Sequence, residues 1–597
     1  MAVPQPLRSP WTIGTFGVLL AVSAFGVGRQ LGGPRPAPER ERSASPLTGT
    51  ATAAELPPPD TALQQPGAER IIEAQRKRIM GRLRSLEQVR RVATTIRPLV
   101  DRALEMPEVQ ADLNDLARAA GMTVPQYKKY FAGKQESDLL LESGGDPNAR
   151  SVADAIGVAQ FLAGTGRQCG LKIDVAASNA LTHKIRAIER QIEWLEAQAP
   201  TWSKPVPAAL AGVVPTMPAS QDESSDSSLL PAPSPTESLP EGVWSRDQWI
   251  AYRKSQRTQL VAKRRRVDER YDPAKAIRAQ TRYLVKLTRR YGGIDWALQA
   301  YHGGEAGASR TMRLFAEGIG SRTYLASRGA SYRTPGLGGW LPYTELYQRV
   351  SPTATPAAFS YLFGRSDDHR YYWWKVLMAE RALDLYRRDP QEFERQWKAL
   401  QPGLNADAVF FPDPTPHQFA DNRALAEAYR AGTLVRLPAN AGELGVRTEN
   451  LAVLAPDSTS LHKGLRPEAM GALLRLAQIY RSQGGQAPLT AVSMVQSTAY
   501  RKLWDARYPA PPLPPDVPKD PEFHTTGYTF DLSRPARDWD RKVLEYSLGT
   551  LYDNLHISWR KETEGGSQRY HVVVNPKSST ELTRWCQQYT SHLAANQ

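Results

Sequence analysis

The chain has 597 residues, 41% of them hydrophobic, and a mean hydropathy of −0.48. That is enough apolar material to bury a core, which excludes a disulfide miniprotein and a wholly disordered chain. Lys and Arg number 76 against 61 Asp and Glu, a net charge of +15 that favours polyanionic partners such as nucleic acid, anionic membrane or anionic cell-wall polymer. Two cysteines, Cys169 and Cys586, exclude a zinc ribbon or an iron–sulfur protein.

The first element is an uncharged stretch, 11–28, between Arg8 and Arg29. As a helix it rises about 27 Å, close to a bilayer core of about 30 Å, and so predicts a membrane anchor. The small residues at 22–24 leave open the alternative of a cleaved signal peptide. Both readings of residues 1–31 place the rest of the chain outside the cytoplasm, on the periplasmic side of a bacterial inner membrane or secreted.

Residues 32–68, rich in Pro, Ala, Ser and Thr, predict a flexible linker. From 72 to 104, Ile72, Ile79, Leu83, Leu86, Val89, Val92, Ile96 and Leu99 recur at helical spacing, with Arg and Lys on the solvated face. Ile185, Ile188, Ile192 and Leu195 repeat the pattern before a Pro-, Ser- and acid-rich tract, 200–242, too poor in apolar residues to offset its ordering entropy. Residues 268–400 read as helices, with an aromatic run at 371–374. A helix from 465 to 480 opens the last region, followed by strand-like runs at 489–495, 528–532 and 572–574. The predicted architecture is therefore multidomain: a helical region 69–400 with an insertion at about 176–265, an unassigned connector 401–459, and an α+β domain 460–597.

The helical region carries four ordered blocks. They are Glu142-Ser143 with Asn148-Ala149-Arg150-Ser151; Gly157-Val158-Ala159-Gln160-Phe161 with Thr165-Gly166-Arg167; Asp268-Glu269-Arg270-Tyr271-Asp272-Pro273; and Ala300-Tyr301-His302-Gly303-Gly304. Together, over roughly 100–315, they resemble the goose-lysozyme-like soluble lytic transglycosylases, most nearly the membrane-bound lytic transglycosylase D type. The resemblance implies an all-α lysozyme-like fold in which Glu142 protonates the glycosidic oxygen between N-acetylmuramic acid and N-acetylglucosamine in peptidoglycan. The same group then deprotonates the muramoyl 6-hydroxyl to leave a 1,6-anhydro ring. Such chemistry calls for a carboxyl that partial burial keeps protonated near neutral pH. It needs no cofactor and, unlike most glycosidases, no second carboxylate; Asp146, before Pro147, reads as a turn residue. Ser143, Gln160, Tyr301 and His302 fall on substrate-binding positions, with Tyr301 expected to orient Glu142. Two departures stand out: His302 occupies the place of the family's Asn, and Asp154 that of a common Gly.

In the last region His524 and Asp531 stand seven apart with Gly527 between them, and His571 heads the run 572–574. Two imidazoles and a carboxylate make a three-ligand set that leaves a fourth position open on zinc. With 465–469, 488–493 and Tyr500, the pattern resembles the D-Ala-D-Ala carboxypeptidase/dipeptidase family, which implies a zinc ion held by His524, Asp531 and His571. Departures weigh against hydrolysis. Gln568 and Arg569 stand where the family carries its Glu or His, so Glu562 or Glu564 would have to replace them. Gln496 stands where an Arg holds the substrate carboxylate, and Thr529 replaces a small residue.

These readings converge on an exported peptidoglycan lytic transglycosylase with a D,D-peptidase-like domain or a stem-peptide-binding relic. The expected partners are peptidoglycan, the inner membrane through the N-terminal helix, and cell-wall or division proteins. A non-catalytic cell-wall-binding scaffold is the alternative. No nucleic-acid reader motif accompanies the positive charge.

Overall fold

In a computed structural model of the protein the described residues are 67–205, 243–319, 342–400, 417–508 and 523–595, excepting 82, 84, 366, 450 and 565–566. The anchor-or-signal stretch 11–28 and nearly all of the linker 32–68 lie outside them, as does 206–242. Among the described residues no helix is long and apolar enough to cross a membrane. A mostly helical N-terminal region is followed by a mixed α/β region built on a five-stranded sheet. The chain divides into two compact units, one of residues 146–280, the other of residues 67–145 together with 281–595.

In the first unit, the helices Val175–Glu196 and Arg246–Val267 form an antiparallel hairpin. Asp174 caps one and a Ser245–Gln248 capping box opens the other, each worth about 1 kcal/mol. At the tip the strands Ser203–Pro205 and Val243–Ser245 pair antiparallel, and Leu195, Trp202, Trp244, Trp249 and Tyr252 cluster beneath them. Pairing Pro205 with Val243 closes the ends of 206–242 onto one another, so a long segment there adds little closure entropy. At the hairpin's base Arg270 makes a buried fork with Asp268 at 3.0 and 2.8 Å and donates to the carbonyls of Asp154 and Phe161. Gly157 has φ +80°, and a Cβ there would lie 1.9 Å from the Arg270 carbonyl oxygen, so only glycine fits. The Asp-Glu-Arg block is thus scaffold for the loop 146–161.

In the second unit the helix Val124–Ser143 begins at a Thr123–Gln126 capping box and ends at Gly144, φ +61°. It packs on Arg97–Leu104, Pro107–Ala119, Ile294–Gly303 and Tyr372–Arg388. Lys134, Gln135, Glu136, Ser137 and Asp138 are all buried, and each polar group finds a partner. Lys134 pairs with Glu380, Gln135 bonds Thr281, and Ser137 donates to the Gly133 carbonyl. Glu136 takes a two-pronged contact from Arg387 at 2.8 and 2.5 Å and a third from Arg97 at 3.2 Å. Burial of such groups is tolerated only because they are paired.

The sheet runs in the order Val446–Thr448, Leu489–Ser493, Thr529–Ser533, Ser567–Val574, Ile557–Glu564, the first pair parallel and the others antiparallel. Its first strand falls within the stretch that the sequence left unassigned. Helices Pro467–Ser482 and Ser579–Ala595 cross so closely that a Cβ on Gly471 would meet the Leu582 carbonyl at 2.0 Å. The register sets Asp531 directly opposite His571.

Candidate functional site

Glu142 lies in the last turn of its helix, with its side chain 8% exposed. Two groups hold its Oε1: the Tyr372 hydroxyl at 2.7 Å and His302 Nδ1 at 3.0 Å. The His302 ring lies flat on Tyr372, centroids 3.8 Å apart and planes at 11°, so the two holders brace each other. Gly303 makes this approach possible, since a Cβ there would overlap the His369 ring, which stands 5.9 Å behind His302. Burial, then the Arg365 charge and His302, push the His369 imidazole down to about 3, so it is neutral. Among the described residues no donor reaches Glu142 Oε2. One carboxyl oxygen is held from two sides, and the other takes no hydrogen bond from the described residues.

The Tyr372 hydroxyl also reaches Asp138 Oδ1 at 2.5 Å, one helical turn before Glu142. Burial, followed by the charges of Asp138 and Glu142, holds the Tyr372 phenol well above its usual range, so it keeps its proton. The sequence reading missed both Tyr372, noted only as part of an aromatic run, and Asp138. The available signal was the spacing of two carboxylates at i and i+4, which share a helix face.

The other sequence-derived residues are distributed as follows. Ser143 Oγ accepts from the Gly145 amide at 3.1 Å and donates to the Leu139 carbonyl, so it finishes the helix. Gln160, at φ +46°, donates to the carbonyls of Gly157 at 2.8 Å and Ala149 at 3.3 Å, spending its amide nitrogen on its own loop. Tyr301 is half-buried, tilted against Tyr283 at 5.9 Å. His302 is the substitution that meets Glu142.

The second constellation comes together as its spacing suggested. His524, Asp531 and His571 are all buried, their ligand atoms within 4.8 Å of one another, and they can hold a metal ion. Asp531 Oδ1 is 2.8 Å from His571 Nδ1 and 3.2 Å from His524 Nε2. His524 Nδ1 lies 3.1 Å from the Met494 carbonyl oxygen, which only accepts, so Nδ1 carries a proton and Nε2 faces a carboxylate oxygen. Two lone pairs cannot face one another at that distance without a cation between them, either a proton or a metal. The carbonyl behind the ring is the usual outer support of a metal-bound histidine. Burial alone would raise the Asp531 carboxyl, but His524 and His571 outweigh it and hold the group well below the usual range.

Around the triad the departures acquire positions. Arg569 donates to Asp531 Oδ2 at 2.7 Å, leaving Oδ1 for an ion. Gln568 is engaged by Arg534. Glu562 lies across the ladder from Arg569, with its Oε2 3.8 Å from His571 Nδ1; the Glu564 side chain lies outside the described residues. Gln496 donates to Ser493 Oγ at 3.0 Å, which itself lies 3.2 Å from His524 Nδ1. No known protein family, characterised protein or solved structure matches the chain.

Proposed function

We propose that the protein is a peptidoglycan lytic transglycosylase whose N-terminal helical region is lysozyme-like and whose acid/base is Glu142. The observation that carries this reading is the half-clamped carboxyl: Oε1 is gripped by Tyr372 and His302, and Oε2 takes no donor from the described residues. Such a group can pass a proton to a glycosidic oxygen and take one back from the 6-hydroxyl without changing position. Fixing it beforehand removes the reorganisation that a mobile Glu would need in the transition state. The net charge of +15 suits an anionic sacculus.

The test is digestion of purified sacculi with mass spectrometry of the soluble products. Chains ending in 1,6-anhydro-N-acetylmuramic acid are expected with wild type and absent with Glu142→Gln. Wild type that pulls down sacculi but releases no such ends would instead establish the scaffold reading.

For the C-terminal sheet, the ion is zinc, held by His524 Nε2, Asp531 Oδ1 and His571 Nδ1, a nitrogen and oxygen set suited to that metal. Zinc bound there would polarise a carbonyl and acidify water. Arg569 keeps the Asp531 carboxylate turned, and Gln568 and Arg569 in place of the resembled family's base favour gripping a stem peptide over cleaving it. Metal analysis of the full chain should find about one zinc, lost in His571→Gln; a wild-type chain free of metal would refute this assignment.

A further inference from the structure

Four heavy atoms form a continuous chain inside the second unit: Asp138 Oδ1, the Tyr372 hydroxyl, Glu142 Oε1 and His302 Nδ1, with successive separations of 2.5, 2.7 and 3.0 Å. Each of the three contacts needs one hydrogen between its two atoms. Tyrosine supplies one and a neutral imidazole protonated at Nδ1 supplies a second. Ionised carboxylates supply none. A third proton must therefore reside on Asp138 or on Glu142.

The surroundings agree with this count. Asp138 is fully buried and one turn from Glu142, where two negative charges would repel at close range in a medium of low dielectric. Among the charged and titratable groups near the chain are His302, neutral His369 behind it, and Arg365, which donates to the Gly303 carbonyl at 2.8 Å. Tyr372 lies on the facing helix, where Lys375 follows a turn later and is paired with Asp368. Tyr372 itself keeps its proton.

We propose that Asp138 shares a buried carboxyl proton with Glu142 through the Tyr372 hydroxyl and so sets the charge of Glu142. The transfer balances. The Asp138 O–H bond breaks as its proton moves to the tyrosine oxygen, and the original tyrosine O–H bond breaks as that proton joins Glu142 Oε1. The negative charge ends on Asp138, and the phenol is regenerated with its hydroxyl reversed. Asp138 touches no reacting atom and is a positioning residue: it decides where the proton stands. Its role in turnover rests on the transglycosylase reading, but the shared proton does not.

The experiment uses the full chain, wild type and Asp138→Asn. Infrared spectra are recorded at pH 8, above the carboxyl of Asp553, which burial raises to about 6. Wild type is expected to show a protonated-carboxyl C=O band that Asp138→Asn removes, because an asparagine amide can donate to the tyrosine oxygen but holds no transferable proton. On soluble glycan strands the same variant should lose about 10²-fold in kcat, the scale of general-acid catalysis, with KM held. Tyr372→Phe, which breaks the link while keeping the ring under His302, serves if Asp138→Asn fails to fold, and should lose kcat to the same extent. A wild type without the band, or a band that persists in Asp138→Asn, overturns the shared proton. Wild-type kcat in Tyr372→Phe or in folded Asp138→Asn overturns its role in turnover. A wild type that never releases anhydro ends would sink the transglycosylase reading alone, and the infrared band would still decide the proton.

Discussion

Truncating His302 to alanine tests whether the grip on Glu142 has catalytic consequences or is merely packing. The imidazole gives Glu142 Oε1 a contact of 3.0 Å, stacks on Tyr372 at 3.8 Å, and has a side chain only 7% exposed. A hydrogen bond to an ionisable group is worth about 1.5–3 kcal/mol, and each 1.36 kcal/mol is a factor of ten in rate. If that bond holds Glu142 in its reactive pose, kcat falls about 10- to 100-fold. The lost ring contact, about 0.5–1.5 kcal/mol, adds to the cost of the cavity, giving a destabilisation on the order of 2–4 kcal/mol. His302→Asn separates the two effects: its amide retains a donor but no ring, so stability should match the alanine variant while kcat recovers in part. The assay is the initial rate of anhydro-ended product from soluble glycan, run beside urea unfolding. Reduced stability with wild-type kcat in His302→Ala would refute the reasoning and leave the ring a packing group.

Two further outcomes follow from buried charge elsewhere. Burial, opposed by Tyr347, Tyr371 and the Arg370 and Arg78 charges, raises the Asp553 carboxyl to about 6, whereas in the unfolded chain it sits near ~3.9. The folded state then holds the extra proton, so this group's contribution is complete below about pH 4, falls as pH rises to about 6, and is flat above; the change is on the order of 3 kcal/mol. Asp553→Asn, which still accepts from Tyr347, should abolish that slope in unfolding measured from pH 4 to pH 7; an unchanged slope would place its origin elsewhere. Glu136→Gln should lower stability by about 2–3 kcal/mol, because it breaks the fork from Arg387 and the contact from Arg97 around a carboxylate only 1% exposed. An unchanged urea midpoint would mean that both arginines rehydrate without cost.

Much of this protein is local and was legible in the residues. The helical stripes, the strand-like runs and the His524–Gly527–Asp531 spacing depend on neighbours a few positions away, where backbone periodicity acts. Even there, only the strand register brought His571 opposite Asp531, since a slip of one residue would have turned it to the other face. The run Lys134–Asp138 shows the limit most clearly. As a sequence it has the polarity of a solvated helix face, yet all five residues are buried. What makes that burial tolerable are partners far along the chain: Glu380, Thr281, Arg387 and Tyr372. The same holds for Glu142, whose holders His302 and Tyr372 stand 160 and 230 residues away. Composition and spacing determine which segments coil or extend and which residue types can do chemistry. Which carboxyl meets which hydroxyl is decided by packing, because a buried polar group is stable only where the tertiary fold delivers its complement.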